Sequence, residues 1–383
     1  MKKLVYIANN RMPAERAYSS QIMSMCMEFA ELCSQRNWNF ELVIPRRYLP
    51  AGEDVFSYHG FEKKFNVVYL ACYDAIHLIP QLGQLAYWLQ SITFVASLLL
   101  WRLKQTDKIT VYTREIYISA FFSQSAYEMH TIPERASWLL RRLLRRCTYI
   151  IAITHGMKRD LISLGCDAER ILVASDGIDL ERFGNEISKE SARRDLVLPV
   201  DKFIVVYAGS FFQHLWKGVT TLLSAAKKLD HETHILFIFV GGHPEEIDAI
   251  NEGLKNYENI KLVEHSPFQV VRKYLAAADV LVIPNNSGYR VSNHYTSPLK
   301  LFEYMAAQRL IVASDLPSIK EIISEESAVF FEPNNVDDLS SVLQNLSHNY
   351  GLHKQKVFNS FNLVKSYTWK KRAERILGFL DLH

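Results

Sequence analysis

The amino-acid sequence predicts an α/β fold made of two domains of similar design. Apolar strand-like runs alternate with helix-like stretches through the first half of the chain, and the same alternation restarts near residue 203. With 383 residues, 49% apolar and 22% charged, the chain can form two such cores. The charged stretch 186–194 is typical of a boundary. We therefore expect domains at 1–185 and 186–365, followed by a terminal helix at 366–383.

Composition excludes several classes of protein. The net charge is only +3 and no basic tract of the kind that binds RNA or DNA is present, which argues against a nucleic-acid partner. The five cysteines are odd in number and scattered, without a C-x-x-C pair, so neither a disulfide framework nor a zinc site is indicated. A reducing, cytoplasmic location fits this pattern. The most apolar stretch, Ile92–Leu103, is interrupted by Ser97 and Arg102 and is expected to be too short to span a membrane.

The first half begins as a strand, a loop, a helix and a second strand. The helix is expected from about Ser19, and a long apolar helix is expected at about 83–104. This order is that of a Rossmann-type domain, but the first turn has no G-x-G-x-x-G, which disfavours a dinucleotide-dependent oxidoreductase. Strands are expected at Leu4–Ala8, Phe40–Ile44, Val67–Leu70, Ile109–Thr113 and Thr148–Ile153.

The second half opens with a strand, a glycine and then Lys-Gly at a helix start. The strand Phe203–Ala208 is followed by Gly209 and Ser210, and Lys217-Gly218 precedes the helix. This arrangement is similar to a phosphate loop, although it is not a Walker A sequence. A cation at a helix start is unfavourable with the helix dipole, so a function for Lys217 is favoured.

Residues 297–307, S-P-L-K-L-F-E-Y-M-A-A, predict a helix that starts abruptly. Ser297 is the expected N-cap and Pro298 the first helical residue. The unpaired backbone N–H groups of such a start can bind phosphate. Glu303 is a carboxylate among apolar neighbours, and sugar hydroxyls would be suitable partners for it.

This segment and the strand Leu310–Ala313 resemble the donor-binding region of retaining nucleotide-sugar glycosyltransferases of the family 4 type. The strand 278–284, A-D-V-L-V-I-P, and the run from Asp176 to Phe183 are also similar to that family. The resemblance implies the GT-B architecture, in which two Rossmann-like domains face each other across a cleft and a C-terminal helix crosses back to the first domain.

The resemblance also implies roles for individual residues. His130, Lys217 and Glu303 would be catalytic: His130 lines the sugar, Lys217 binds the pyrophosphate and Glu303 binds the ribose hydroxyls. The loop facing the acceptor and the donor phosphates is occupied by Ala17, Tyr18 and Ser19. The full set of expected donor-binding residues is Gly209, Ser210, Lys217, His265, Ser266, Tyr295, Thr296, Ser297, Leu299, Lys300 and Glu303.

Two of the positions that depart from the family's pattern bear on donor binding. Phe212 stands where an Arg is common, and Arg290 and His214 are candidates to replace that cation. Tyr295 stands where a first Glu is common. Both departures bear on activity, so a catalytically weak nucleotide-sugar-binding protein stays an alternative, as does a nucleotide-sugar epimerase of the same architecture.

The reaction implied is transfer of a sugar from a UDP-, GDP- or ADP-linked donor to a glycan or lipid-linked acceptor, with retention of configuration. No D-x-D carboxylate pair can be picked out, so protein groups rather than a metal are expected to stabilise the departing diphosphate, and no cofactor is expected.

A helix expected from Pro133 carries Arg135, Arg141, Arg142, Arg145 and Arg146. The last four share one sector with Trp138, opposite a sector of leucines. The basic sector is either an ordinary solvated face or a surface for anionic lipid headgroups or a phosphate-bearing acceptor, with Trp138 as an interfacial anchor. In the second interpretation the protein is peripheral at the inner face of the membrane.

Overall fold

The structure is a computed structural model that describes residues 2–14, 17–47, 54–211 and 215–381. It contains two compact α/β units, as the sequence predicts. The first unit comprises Met1–Ile153, Lys158–Ala174 and Trp369–His383, and the second comprises Thr154–Met157 and Ser175–Thr368. The chain therefore passes from the first unit into the main part of the second after residue 174, whereas the sequence predicted a domain boundary after residue 185.

The first unit is built on a parallel sheet of seven strands among the described residues. Its order is β3-β2-β1-β4-β5-β6-β7, so the chain reverses direction across the sheet between β1 and β4. The strands are β1 (Lys2–Ile7), β2 (Asn39–Arg46), β3 (Asn66–Ala71), β4 (Lys108–Thr113), β5 (Ser125–Met129), β6 (Tyr149–Ala152) and β7 (Ile171–Val173). In a doubly wound sheet such a reversal opens a crevice at the carboxyl ends of the strands, where ligands bind.

Helices cover this sheet, as a parallel sheet requires. They are α1 (Ala17–Gln35), α2 (Val55–His59), α3 (Ala75–Leu78), α4 (Gln84–Leu103), α5 (Ile116–Ser119), α6 (Trp138–Arg146) and α7 (His155–Ser163). The connections through α4, α5 and α6 all advance in the same direction across the sheet. Because crossovers between parallel strands are right-handed, these three helices lie on the same face.

The second unit repeats the design with six parallel strands in the order β10-β9-β8-β11-β12-β13. They are β8 (Phe203–Ala208), β9 (Ile235–Gly242), β10 (Ile260–Glu264), β11 (Val280–Ile283), β12 (Leu310–Ser314) and β13 (Val329–Phe331). Its point of reversal lies between β8 and β11. The helices are α8 (Leu180–Phe183), α9 (Lys189–Asp195), α10 (Val219–Lys228), α11 (Pro244–Asn251), α12 (Phe268–Ala277), α13 (Arg290–His294), α14 (Leu299–Ala306), α15 (Pro317–Lys320), α16 (Val336–Asn349) and α17 (Lys354–Val364).

The terminal helix α18 (Trp369–Asp381) belongs to the first unit, where it packs on α1. Its apolar stripe, which includes Ala373, Ile376 and Leu377, is buried. The prediction that this helix crosses back to the first domain is confirmed.

Helix starts are where the structure differs most from the sequence prediction. Helix α6 begins at Trp138 rather than at Pro133, because the Ser137 side chain accepts a hydrogen bond from the Leu140 N–H and caps the helix there. Arg135 therefore precedes the helix. The segment 285–296, expected as a loop, contains the short helix α13.

The long helix α4 corrects a second expectation. It is long and apolar enough to cross a membrane by length and composition, although about a third of it is buried within the protein. The sequence expectation that this stretch is too short is therefore wrong, because the apolar pattern continues through Gln84–Ser91 before the run that was counted.

Candidate functional site

The carboxyl edge of the second sheet brings together residues from its two central strands. Gly209 follows β8 with φ of +141°, a conformation that L side chains rarely adopt. A Cβ there would lie 2.9 Å from Nζ of Lys300, so glycine lets that ammonium group approach the backbone. The Tyr207 hydroxyl donates to the Ser210 carbonyl at 3.1 Å and holds the turn.

Lys217 reaches this turn from a short 3₁₀ segment, Leu215–Lys217. Its Nζ donates to Oγ of Ser210 at 2.6 Å, and burial lowers the pKa of Lys217. The next residue, Gly218, has φ of +66°, and a Cβ there would lie 1.7 Å from the carbonyl oxygen of Pro284. The loops after β8 and β11 are therefore pressed together at the point of reversal, which places Lys217 where ligands of such sheets bind.

Lys300 is the second cation at this edge. Its Nζ is buried, lies 3.9 Å from the centroid of the Tyr207 ring, and has no hydrogen-bond partner among the described residues. Burial, and then the charge of Lys217, hold the pKa of Lys300 well below its usual range. A buried ammonium group beside a second cation favours an anionic ligand, since an anion would offset both the burial and the repulsion from Lys217.

Helix α14 presents its amino terminus in the same segment. The expectation that Ser297 is its N-cap is wrong: the helix begins at Leu299 after Pro298, with no side-chain cap on the described helix start. The Ser297 hydroxyl instead accepts a hydrogen bond from the Asp176 N–H at 2.9 Å. First-turn N–H groups without a side-chain cap are suited to a phosphate.

Glu303 lies one turn after Lys300 on α14. Burial raises the pKa of Glu303, and the charge of Lys300 opposes that shift. A carboxylate in this environment gains from hydrogen-bond donors that a ligand could supply, such as hydroxyl groups.

Tyr295 and Thr296 are engaged within the second unit. Tyr295 is buried, and the Arg290 guanidinium lies 5.5 Å from its ring. The Thr296 hydroxyl donates to the Val291 carbonyl at 2.7 Å, which closes α13. Both residues support the segment before α14, and Arg290 stacks on Tyr295. Arg290 is one candidate to supply the cation that is missing at Phe212. The other candidate, His214, and Phe212 itself lie outside the described residues.

His265 and Ser266 follow β10 and are accessible. The His265 N–H donates to the Gly242 carbonyl at 2.9 Å, so the backbone after β10 is held to the end of β9. The rings of His243 and His265 are nearly parallel, with an interplanar angle of 17° and centroids 6.4 Å apart. Sequence reasoning missed His243, because only the pairing of β9 with β10 brings the two rings together.

In the first unit, a buried carboxylate supports His130. Glu128 of β5 is fully buried, with Arg114 at 2.7 Å, Arg372 of α18 at 3.1 Å, and the Tyr112 hydroxyl donating to it. Burial opposes ionisation, but the two guanidinium groups hold the pKa of Glu128 well below its usual range. A buried carboxylate with two cations stays charged.

His130 follows β5 at its carboxyl end and is part-exposed. Its Nε2 lies 2.5 Å from Oε1 of Glu128. Because the ionised carboxylate only accepts, Nε2 carries the proton, and Nδ1 is the nitrogen left for other partners. Glu128 was not singled out from the sequence, although a charged residue in the apolar run Ser125–Met129 is the signal that could have found it.

The expected phosphate loop at Ala17, Tyr18 and Ser19 is the first turn of α1 instead. The Ser19 hydroxyl is fully buried, lies 2.9 Å from the His59 ring nitrogen and accepts from the Ala14 N–H. The Tyr18 hydroxyl donates to the Arg11 carbonyl. The Ala17 side chain lies outside what the structure describes. Ser19 therefore stabilises the loop before α1 and is not available to a ligand.

Among the described residues, a group of side chains close enough to share a metal ion is Glu232, His234 and His348. Glu232 precedes β9, so this group lies at the opposite end of the strands from Gly209 and Lys217. It is no part of the candidate site.

Comparison with known protein families assigns both halves of the chain. Residues 25–182 match the family described as Glycosyltransferase Family 4, and residues 202–349 match the one described as Glycosyl transferases group 1. Together the two matches cover most of the chain. The chain belongs to the family 4-like glycosyltransferases.

Several curated relatives match this chain at low sequence identity. The chain is 23% identical over 242 residues to the putative teichuronic acid biosynthesis glycosyltransferase TuaC of Bacillus subtilis. The matched region covers 63% of this chain and 54% of TuaC. The chain thus spans about half the length of the curated relatives it matches.

Solved structures share the fold along its whole length. Anabaena Alr3699/HepE in complex with UDP superposes with a TM-score of 0.74 at 15% identity, covering 100% of both chains. The sucrose-phosphate synthase of Thermosynechococcus elongatus gives a TM-score of 0.78 at 17% identity, covering 100% of this chain and 99% of that one. The predicted GT-B class of fold is confirmed.

The contacts of Glu128 with Arg114, Arg372 and Tyr112, here called the Glu128 network, predict that removing its charge lowers stability. Glu128→Gln should lower the free energy of unfolding at neutral pH by about 3–5 kcal/mol, because two buried guanidinium groups lose their counter-charge. The pKa of folded Glu128 lies below its unfolded value of about 4.3, so its contribution is present above that pH and is lost as the pH falls through the folded value.

Urea unfolding followed by circular dichroism between pH 7 and about pH 2 measures both effects. The variant should lose less stability than wild type on acidification. Glu62→Gln, at an exposed position in the same unit, is the matched control and should behave as wild type. A Glu128→Gln variant as stable as wild type at pH 7 would contradict the network.

Proposed function

We propose that this protein transfers a sugar from a nucleotide diphosphate sugar to a glycan or lipid-linked glycan acceptor, with retention of the anomeric configuration and without a metal. The observation that carries the proposal is the convergence of Lys217 and Lys300 on the turn Gly209-Ser210, in the segment where α14 begins. Two cations and an uncapped helix start form a site for a diphosphate.

The transfer step needs stabilisation of the leaving group. The bond between the sugar's anomeric carbon and the β-phosphate oxygen breaks, and its electron pair stays on the diphosphate. The ammonium groups of Lys217 and Lys300 would offset that charge as it develops. The acceptor hydroxyl forms the new bond on the same face of the sugar, and its proton passes to the leaving phosphate oxygen, so that configuration is retained.

The nucleoside would lie along the same edge of the sheet. Glu303 is placed to accept hydrogen bonds from the ribose hydroxyls, and those donors would offset the cost of burying its carboxylate. The parallel rings of His243 and His265, together with the backbone after β10, offer a flat surface for the base.

His130 is proposed to line the sugar through Nδ1. Glu128 would act as its positioning residue, because the hydrogen bond from Nε2 fixes both the tautomer and the ring orientation. The carboxyl end of a parallel strand is the place where such a side chain meets a ligand.

The comparisons support one donor and one class of acceptor within this proposal. HepE was solved with UDP and with UDP-glucose, which favours a uridine diphosphate donor over GDP- or ADP-linked sugars. The name of TuaC supports an acceptor in bacterial polysaccharide assembly.

A catalytically weak nucleotide-sugar-binding protein is the second candidate. The observation that favours it is that Tyr295 is buried and has no carboxylate to offer a sugar. A transfer assay with UDP-glucose separates the two functions, since binding without turnover supports the second.

Donor binding should depend on both lysines. Lys217→Ala and Lys300→Ala should each weaken UDP binding about 10- to 100-fold, because each removes a charge-assisted contact to phosphate. Isothermal calorimetry with UDP, GDP and ADP measures this and selects the base.

The control for both variants is Lys255→Ala. Lys255 is exposed and precedes β10, at the other end of the sheet, so its removal should leave UDP affinity unchanged. If wild type binds none of the three diphosphates, or the variants bind as wild type does, the assignment of this site fails.

The ribose assignment of Glu303 has its own test. Glu303→Ala should weaken UDP binding about tenfold, because the ribose hydroxyls lose a charged acceptor. In wild type, 2′-deoxy-UDP should also bind more weakly than UDP, and in Glu303→Ala the two should bind alike. A variant that still prefers UDP over its deoxy form would assign Glu303 elsewhere, and Glu258→Ala, an exposed change in the same unit, is the control.

Transfer should not require a divalent metal. With lysines and backbone N–H groups stabilising the leaving diphosphate, the rate should be unchanged when a chelator is present, as measured by release of UDP from UDP-glucose and acceptor. Loss of activity with chelator that magnesium or manganese restores would contradict this part of the proposal.

A further inference from the structure

Helix α4 has two apolar faces, of which only one is used by the fold. Phe94 and Leu98 are fully buried and pack with Val5, Val111 and other residues of the sheet. The opposite side is a stripe of large apolar side chains that remain exposed. They are Leu85, Trp88, Leu89, Ile92, Leu99, Leu100 and Leu103.

The spacing of these residues places them on one side of the helix. They recur at three, four and seven positions, so they form a continuous stripe over about five turns. Trp88 is 53% exposed, Ile92 is 64% exposed and Leu103 is 82% exposed. In the segment before α4, which contacts that helix, Ile76, Leu78 and Leu82 are also exposed. We call these ten residues the outer face. Monomeric proteins rarely expose an apolar surface of this extent without a partner.

The outer face does not belong to a membrane-spanning helix. The buried side of α4 carries Gln90 and Ser91 as well as Phe94, and it is covered by the sheet of the first unit. A helix attached in this way can expose only one side to lipid. The geometry is therefore that of a helix lying in the plane of a membrane interface.

Charge around the outer face points to an anionic partner. Asp74 and Asp107 bracket α4, and the sequence contains no acidic residue between them, whereas Arg102 and Lys104 are present. The neighbouring stretch between Glu134 and Asp160, which includes α6, also contains no acidic residue and is rich in arginine.

Helix α6 lies in the same layer as α4. Both are on one face of the sheet, and α5 lies between them: its Ile118 belongs to the same buried cluster as Phe94 of α4, and α5 contacts α6. On α6, Trp138 is 72% exposed and Leu139 is also exposed. Exposed arginines accompany them, and within the described part of the chain none of these pairs with a carboxylate. They are Arg141, Arg142, Arg145 and Arg146.

We propose that the outer face of α4, together with the basic surface of α6, docks the first unit onto an anionic lipid bilayer. The apolar stripe would enter the boundary between headgroups and acyl chains, while the arginines contact lipid phosphates. A second copy of this chain fits less well, because a symmetric dimer through this surface would bring like charges together. The inference goes beyond the proposed function and does not depend on it.

Co-sedimentation of the full chain with vesicles tests the proposal. One vesicle contains phosphatidylcholine alone, and in the other about a third of the lipid is phosphatidylglycerol. Wild type should partition at least about tenfold more strongly to the anionic vesicles. The double variant Trp88→Glu/Ile92→Glu should lose about tenfold or more of that binding, because two apolar side chains are replaced by repelled charges.

A second variant and a matched control distinguish the two parts of the surface. Arg142→Ser/Arg146→Ser should reduce binding to anionic vesicles about tenfold and lessen the preference for them over phosphatidylcholine. Val200→Glu/Leu352→Glu makes the same kind of change at exposed apolar positions of the second unit and should bind as wild type. Thermal unfolding by circular dichroism confirms that each variant is folded.

Several results would overturn the proposal. These are no sedimentation of wild type with either vesicle, equal loss of binding in the control variant, or unchanged binding by both the α4 and the α6 variants. Sedimentation equilibrium of lipid-free protein could also overturn it. If wild type is a dimer and Trp88→Glu/Ile92→Glu is a monomer, the outer face serves self-association instead.

Discussion

The buried carboxylate of Glu128 holds together three separate parts of the first unit. It lies on β5, pairs with Arg114 after β4, and pairs with Arg372 on the terminal helix α18. Removing a charge from water is costly, so the arrangement is stable only while both guanidinium groups remain in place. The terminal helix is therefore tied to the sheet by a charge cluster as well as by its apolar stripe. The same carboxylate orients His130, which connects the stability of the unit to its candidate site.

The second unit shows the opposite treatment of buried charge. Lys300 is buried without a hydrogen-bond partner among the described residues, and Lys217 lies near enough to lower its pKa. Such an arrangement costs stability in the absence of a ligand, and proteins accept that cost mainly at functional sites. A diphosphate would supply the missing negative charge. This relief is the physical basis of the nucleotide-diphosphate binding proposed for the site.

Helix α4 shows why apolar content is ambiguous in a sequence. The same residues could form a core helix, a membrane span or an interfacial helix, because length and composition are similar in all three. The structure buries Phe94 and Leu98 while leaving Trp88 and Ile92 exposed, and this one-sided burial supports the proposed interfacial role. An apolar face that the fold does not use is the feature that calls for a partner.

Local patterns in the sequence determined the two-domain α/β fold, most strands and the presence of a helix after residue 297, because helix and strand periodicity and turn residues act over a few positions. The sequence also singled out Lys217 at a helix start and Glu303 among apolar neighbours, and the resemblance to family 4 glycosyltransferases added Lys300 to the candidate site. Contacts between distant residues could not be predicted in this way. The Asp176 N–H donates to the Ser297 hydroxyl, which therefore does not cap α14. Arg372 neutralises the charge of Glu128, and the ring of His243 lies beside that of His265. Only the tertiary structure decides these, since strand order and helix docking bring the groups together.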